Sequence, residues 1–369
     1  MILKNFNNEI SQDLKIKVLD FINDLDMGHK KNYDDFLWFL NNINYQLLPI
    51  IQEKACLTRN KIYGNSVFIR GLIEISNYCQ RNCFYCGIRK SNDKVVRYRY
   101  SQDQIISIAT QAYQNGYHTI VMQGGEDLYY TDDILKDIIV KIKELCPGIA
   151  ITLSLGEKNK DSYQNLFDCG VDRYLLRHES ASNNHYQKLH PVDMSLANRM
   201  NCLHNLKAIG YQAGAGLMIG SPFQTNEDLA TDLLFLQNFQ PAMIGMGPYM
   251  SHVDTPFKNQ PNGTLDHILL LYSIARLICP KALIPSTTAT SSLDKLGRLK
   301  ALQSGCNVIM INLSDLDKRQ SYTLYNNKSY LGDESHEYLK LIKSDIMKAG
   351  MIIDFSVGHN IEMKGNNNG

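Results

Sequence analysis

The chain has 369 residues, with 38 Lys and Arg against 37 Asp and Glu. That balance excludes a general electrostatic affinity for nucleic acid or an acidic membrane surface, and the length allows one large α/β barrel or two ordinary domains. The nine cysteines are an odd number without the regular spacing of a disulfide framework. No stretch has the apolar length of a membrane span, and the N-terminus lacks a signal-peptide core, so a soluble cytoplasmic protein in a reducing compartment is expected.

Residues 1–62 are predicted to form a helical cover, because Leu14, Val18, Phe21, Ile22 and Leu25 follow a helical period. A second helix is expected near Asp34–Ile43 with Asn32 as its N-cap, and a third over Gln46–Arg59. An apolar run, Val67 to Ile75, then predicts a first strand. It leads into Cys79-Gln80-Arg81-Asn82-Cys83-Phe84-Tyr85-Cys86-Gly87. Iron–sulfur clusters are usually held by four cysteine thiolates. Only three fall within this loop, so a cubane held here keeps one iron without a protein ligand. S-adenosylmethionine (SAM) can chelate such an iron through its amino and carboxylate groups, and one electron passed to the sulfonium then releases a deoxyadenosyl radical. A three-cysteine zinc site and three unrelated core cysteines are the competing readings. The spacing C-x3-C-x2-C, with Tyr85 before the last cysteine, resembles the signature of the radical-SAM superfamily.

Beyond the loop, strands are predicted at 118–123, 149–155, 171–177, 211–219, 242–247, 282–288 and 307–312, with helix-like segments between them. Gly116, Gly170, Gly210 and Gly305 each end a helix just before a strand, where positive φ is cheap only for glycine. Eight strands with intervening helices predict a complete (β/α)8 barrel, the alternative being a doubly wound sheet. The domain limits follow: a cover over 1–62, the barrel over 63–325, a C-terminal helix and extension over 326–363, and a disordered tail over 364–369.

Side chains alternate faces along a strand. On the predicted strands Arg70, Leu72 and Glu74 share one face, as do Thr152 and Ser154, and as do Arg173, Leu175, Arg177 and Glu179. His178 falls on the opposite face, as a structural histidine, and the seventh strand ends in Ser286-Thr287-Thr288. Buried charge is costly unless paired or bound to ligand, so an enclosed, charged ligand is expected. Gln123-Gly124-Gly125-Glu126-Asp127 closes the second strand, where glycines let a ligand approach the backbone. Arg199, on a helix, has the fork geometry to pair with a carboxylate.

From about residue 64 to 328 the chain resembles HydE, the radical-SAM maturase family of FeFe hydrogenase. The resemblance rests on the cysteine loop, Arg97-Tyr98-Arg99, Gln123 to Tyr130, Thr152 to Glu157, Asp172 to Glu179, Gly214-Ala215-Gly216, His252-Val253-Asp254 and Ile284 to Thr288. It implies that Cys79, Cys83 and Cys86 ligate a 4Fe–4S cluster, and that Gly125, Glu126, Glu179 and Arg199 help hold SAM. It further implies that Tyr85, Met218 and Tyr322 lie near the adenosine. Arg70, Thr152, Arg177, Thr287 and Thr288 would line a cavity for a cysteine-bound iron carbonyl–cyanide complex. Other hydrogenase maturases and a low-potential electron donor are the implied partners. No cysteine follows Cys306, so no second cluster is expected. Methylornithine synthase and biotin synthase are rivals of the same branch. The second needs extra barrel cysteines, whereas Cys146, Cys169, Cys202, Cys279 and Cys306 are predicted on helices or their ends. A catalytically silent homologue and a metal-binding scaffold complete the alternatives.

Overall fold

The computed structural model describes residues 11–328 and 336–363; the expected tail, 364–369, lies outside them. Three N-terminal helices, α1 (Gln12–Asp26), α2 (Tyr33–Asn42) and α3 (Leu48–Tyr63), form the predicted cover. Asn32 caps α2 in a reciprocal box with Asp35. The cover buries its apolar stripe on the barrel's own helices: α2 packs against Asn226–Phe239 and α3 against Leu265–Ile278.

Among the described residues ten strands follow in chain order: β1 (Ser66–Ser76), β2 (Thr119–Gly124), β3 (Ala150–Ser154), β4 (Arg173–Leu175), β5 (Gln212–Ala215), β6 (Met218–Ile219), β7 (Met243–Ile244), β8 (Gly247–Pro248), β9 (Val308–Asn312) and β10 (Ile352–Asp354). All pairings between them are parallel, in the order β10-β1-β2-β3-β4-β5-β7, with β9 also on β1 and β6 beside β8. The four predicted helix-end glycines, Gly116, Gly170, Gly210 and Gly305, all take positive φ, between +87° and +113°.

The result is a TIM-like barrel, but not the complete ring of eight laddered strands that the sequence suggested. Seven ring positions are strands. The eighth, around 283–285, joins only through two isolated bridges, Met243 to Leu283 and Pro285 to Val308. Two causes are local. Pro285 has no N–H to give a ladder, and the helix Thr288–Leu293 begins where the strand was expected to end. The backbone here still bonds both neighbours, Leu283 N to Ala242 O at 3.0 Å and Ser286 N to Val308 O at 2.9 Å, and side chains supply further partners. The fully buried Arg276 donates to the carbonyls of Gly305, Pro280 and Ala282 at 2.7–2.9 Å. Asn307 Oδ1 accepts from Ile284 N at 2.9 Å.

A strand that the sequence did not announce, β10, runs beside the first residues of β1, from Ser66 to Phe68. The segment after it closes the bottom of the barrel: the carbonyl of Val357 accepts from Thr119 Oγ1 and Arg173 Nη2, both at 2.9 Å. Among the described residues no helix is long and apolar enough to cross a membrane.

Replacing Arg276 by Met leaves the carbonyls of Gly305 and Ala282 buried, and that of Pro280 half-buried, without this donor. At about 1–3 kcal/mol for each orphaned group, a loss of several kcal/mol is expected. Urea unfolding measures it; an unchanged midpoint would show that the eighth ring position does not depend on this side chain.

Candidate active site

The loop from Asn77 to Tyr98 has no helix or strand, so its backbone must find partners elsewhere. Side chains provide them. Arg97 donates from Nη1 to the carbonyls of Asn77 and Ile88, and from Nη2 to those of Arg89 and Asn92 at 2.7 and 3.0 Å. Asn77 bonds Val96 O and Ser321 O, and Asn82 Oδ1 accepts from Arg89, Ser91 N and Ser91 Oγ. Charge-assisted bonds to so many carbonyls fix the loop as firmly as a ladder would. At Gly125, an added Cβ would sit 2.1 Å from Tyr78 O and 2.7 Å from Cys79 Cβ. Glycine is therefore required where the end of β2 meets the cysteine loop.

Cys79, Cys83 and Cys86 all face one cavity of about 360 Å³ at the C-terminal end of the strands. Burial raises all three thiol pKa values, that of Cys86 to about 12, and the negative charges of neighbouring cysteines add to the rise at Cys83 and Cys86. Such a trio stays protonated at neutral pH unless a cation takes the place of the protons. Among the described residues no three His, Cys, Asp or Glu side chains are grouped to hold a metal ion. A single zinc ion would draw all its sulfurs to within about 2.3 Å of one point. A cubane binds each cysteine through a different iron, so it needs three sulfurs around a common space rather than at one point. Three thiols facing one cavity fit the cluster better than the lone ion.

Ion pairs cross the mouth of this cavity. Arg81, from the cysteine loop, bonds Glu126 through Nε and Glu157 through Nη2 at 3.2 Å. Glu157 also takes Arg199 Nε at 2.6 Å. Arg199 donates in turn to the carbonyl of Arg177, whose Nη2 meets Glu179 Oε2 at 2.8 Å. The Glu126 carboxylate is thus committed to Arg81 and, through Oε1, to Glu157 N at 3.0 Å. Arg199 is committed to Glu157 rather than left as a free fork. Glu179 has φ +63°, a conformation that costs a non-glycine residue about 1–3 kcal/mol and persists only where its surroundings enforce it.

Tyr85, Gly125, Met218, Tyr322, Arg177, Thr287 and Thr288 line the same cavity. Tyr85 is held by its hydroxyl at 3.2 Å from His190 Nε2, and Tyr322 accepts from Gln123 Nε2 at 3.3 Å. Thr287 and Thr288 sit at the start of a short helix rather than on a strand. Arg70 and Thr152 do not line the cavity, contrary to expectation. They lie two residues earlier on the strand faces that present Leu72 and Ser154 to it, and both are fully buried. Arg70 Nε, Arg70 Nη2 and Thr152 Oγ1 have no hydrogen-bond partner. Cys146, Cys169, Cys202, Cys279 and Cys306 do not contribute to the cavity lining.

Three members of the site went unassigned in the sequence. Arg81 and Glu157 stand inside or beside motifs, but their partners are 42–76 residues away. Lys328 pairs with Glu74 at 2.6 Å across 254 residues, with both side chains buried and both residues lining the cavity. The one available signal was a charge at a strand end, which does not name its partner.

Residues 73–236 match the radical-SAM superfamily model, and with the barrel and its three-cysteine loop they define the class as a radical-SAM enzyme. The chain is 45% identical over 73% of its length, and 77% of the relative's, to the FeFe hydrogenase maturase subunit HydE of Thermotoga maritima. It therefore belongs to the HydE family of radical-SAM maturases. It is also 26% identical, over 81% of its length and 84% of the relative's, to 3-methylornithine synthase of Methanosarcina acetivorans. Among solved structures the fold is shared with methylornithine synthase, at a TM-score of 0.77 and 20% identity over 94% of this chain and 99% of that one. It is likewise shared with the maturase HydG of Carboxydothermus hydrogenoformans, at 0.75 and 19% over 93% and 80%.

Arg70 supplies a test of the buried polar layer. An unpaired guanidinium in the barrel is costly, so Arg70→Met is expected to stabilise the ligand-free protein by about 1–4 kcal/mol. Thermal unfolding of the ligand-free variant measures it, and destabilisation would mean that the guanidinium already has its counter-charge.

Proposed function

We propose that this enzyme acts on a cysteine-bound iron carbonyl–cyanide complex on the way to the diiron unit of FeFe hydrogenase. Cys79, Cys83 and Cys86 would hold a 4Fe–4S cluster by three of its irons. When bound, such a cluster supplies the electron that splits the SAM sulfonium and yields a 5′-deoxyadenosyl radical. The donor set fits that group: three thiols share one cavity, and Gly125 leaves no side chain between the loop and β2. The chain has no cysteine beyond Cys306, and one cluster is proposed.

The protein's own residues bind, orient and exclude water. Glu179, Arg199, Gly125 and Glu126 frame the SAM position, the two carboxylates holding their arginines so that the frame is set before the ligand arrives. Tyr85, Met218 and Tyr322 supply apolar surface for the adenosine. Arg177, Thr287 and Thr288 offer hydrogen-bond donors to the same cavity, and Arg70 and Thr152 keep unused donors one layer deeper. Cyanide and carboxylate groups accept such bonds.

The observation that carries the reading is that the cysteine loop, Arg177, Thr287 and Thr288 line one cavity. The kinship to HydE supports the choice of substrate. Other maturases and a low-potential electron donor are the proposed partners.

Two variants separate the two halves of the site. Cys83→Ala should retain the barrel's circular dichroism but lose iron and all deoxyadenosine release; continued release would remove Cys83 from the ligand set. Arg177→Ala, which also frees Glu179, should weaken SAM binding modestly and keep slow, uncoupled SAM cleavage at saturating SAM, yet lose turnover of the iron–cysteine complex by about 100-fold or more, roughly 2.7 kcal/mol. Normal maturation of hydrogenase by that variant would exclude Arg177 from substrate binding.

A further inference from the structure

Behind the cavity wall, on the face of the chain that points away from the proposed SAM position, lies a pair that the function above does not use. His178 and Asp232 are both fully buried. Asp232 belongs to the helix Asn226–Phe239, and His178 sits just before Glu179. The His178 ring packs edge-on against Phe235, at 4.7 Å between centroids. Its Nδ1 accepts from the backbone N–H of Gly216 at 3.3 Å. The neutral ring therefore carries its proton on Nε2, which lies 3.3 Å from Asp232 Oδ1 without being aligned for a hydrogen bond to it. The same Oδ1 accepts from the backbone N–H of Ala181.

These contacts bracket one residue. Glu179 is the middle of a tight turn in which Ser180 N donates to His178 O at 2.8 Å, with its own φ at +63°. Glu179 N donates to Gly216 O at 3.0 Å and Glu179 O accepts from Met218 N at 3.3 Å. A turn of this hand is strained for any residue with a side chain. Asp232 holds it from behind by one hydrogen bond, to the amide two residues after Glu179, and sets its charge beside the ring of the residue before it. His178 ties the turn to the Gly216 strand break on which Glu179 hangs. Packing alone would need neither an acceptor at Nδ1 nor a buried carboxylate.

We infer that His178 and Asp232 are positioning residues that set the left-handed turn at Glu179, and so aim its carboxylate at SAM. The inference rests on the reading of Glu179 as a SAM contact, and its test separates the two.

The measurement is the dissociation constant for SAM, on anaerobically reconstituted protein without reductant, in a double-mutant cycle. Glu179→Gln is the reference and should weaken binding. His178→Leu and Asp232→Ala should each weaken it by about tenfold, or 1.4 kcal/mol. His178→Asn, which keeps an acceptor near Nδ1 for Gly216, should recover most of the loss. Asp232→Asn, which keeps Oδ1 for Ala181, should do the same and serves if the larger changes impair folding. Residues that act through Glu179 should add little once Glu179 is already Gln, because the effects of coupled sites do not sum. Fully additive losses, or unaltered SAM binding in His178→Leu and Asp232→Ala while Glu179→Gln binds weakly, would overturn the positioning role. Unaltered binding in Glu179→Gln would overturn the reading of Glu179 itself, and the inference with it.

Discussion

A single buried carboxylate, Glu157, holds guanidiniums from two sides of the barrel mouth. Arg81 comes from the cysteine loop and Arg199 from the helix Leu196–Ile209. The Glu157 side chain is 5% exposed and that of Arg199 9%, so each charge has given up most of its hydration. Paired buried charges of this kind add little to stability on balance, yet removing one partner leaves the other stranded at a cost of about 3–5 kcal/mol. What they supply is position. With Glu126 and with the Arg177–Glu179 pair, the charges alternate in sign across the mouth. A loop without secondary structure is thereby tied to the ends of β2, β3 and β4.

That tie explains why the cavity can keep polar walls. The fold supplies strand ends whose alternate residues face inward, and the ion pairs hold their side chains in register before any ligand enters. Strain is concentrated at the same place. Glu179 in a left-handed conformation and an unpaired Arg70 below the cavity are both costly. Each is tolerable in a structure whose large apolar core runs from the N-terminal cover through the outer helices. Preorganised donors in a site shielded from water act more strongly than the same groups in solution.

The cysteine loop was legible because its three cysteines lie within eight residues of one another; Arg177 and Glu179 line the cavity and His178 does not, but they follow the strand, and the left-handed turn at Glu179 sets their directions. The helix-end glycines were legible for a comparable reason, since positive φ leaves a local trace. What the chain could not reveal was long-range pairing. Nothing near Glu157 points to Arg81, and nothing near Glu74 points to Lys328. Glu126 and Arg199, expected to help hold SAM, also have partners inside the protein, because a motif gives a residue's place but not its neighbours. The eighth strand failed for a local reason that propensity underrates: Pro285 and the early start of the following helix leave room for two bridges, and Arg276 and Asn307 add side-chain partners to the few backbone bonds that remain.

All of the proposed chemistry depends on three thiols holding a cluster that keeps one iron free for SAM. Electron paramagnetic resonance of the anaerobically reconstituted, reduced protein, recorded with and without SAM, tests this most directly. The signal of a reduced 4Fe–4S cluster is expected, with g values that shift when SAM binds the unligated iron. A cluster signal that does not respond to SAM would contradict the claim.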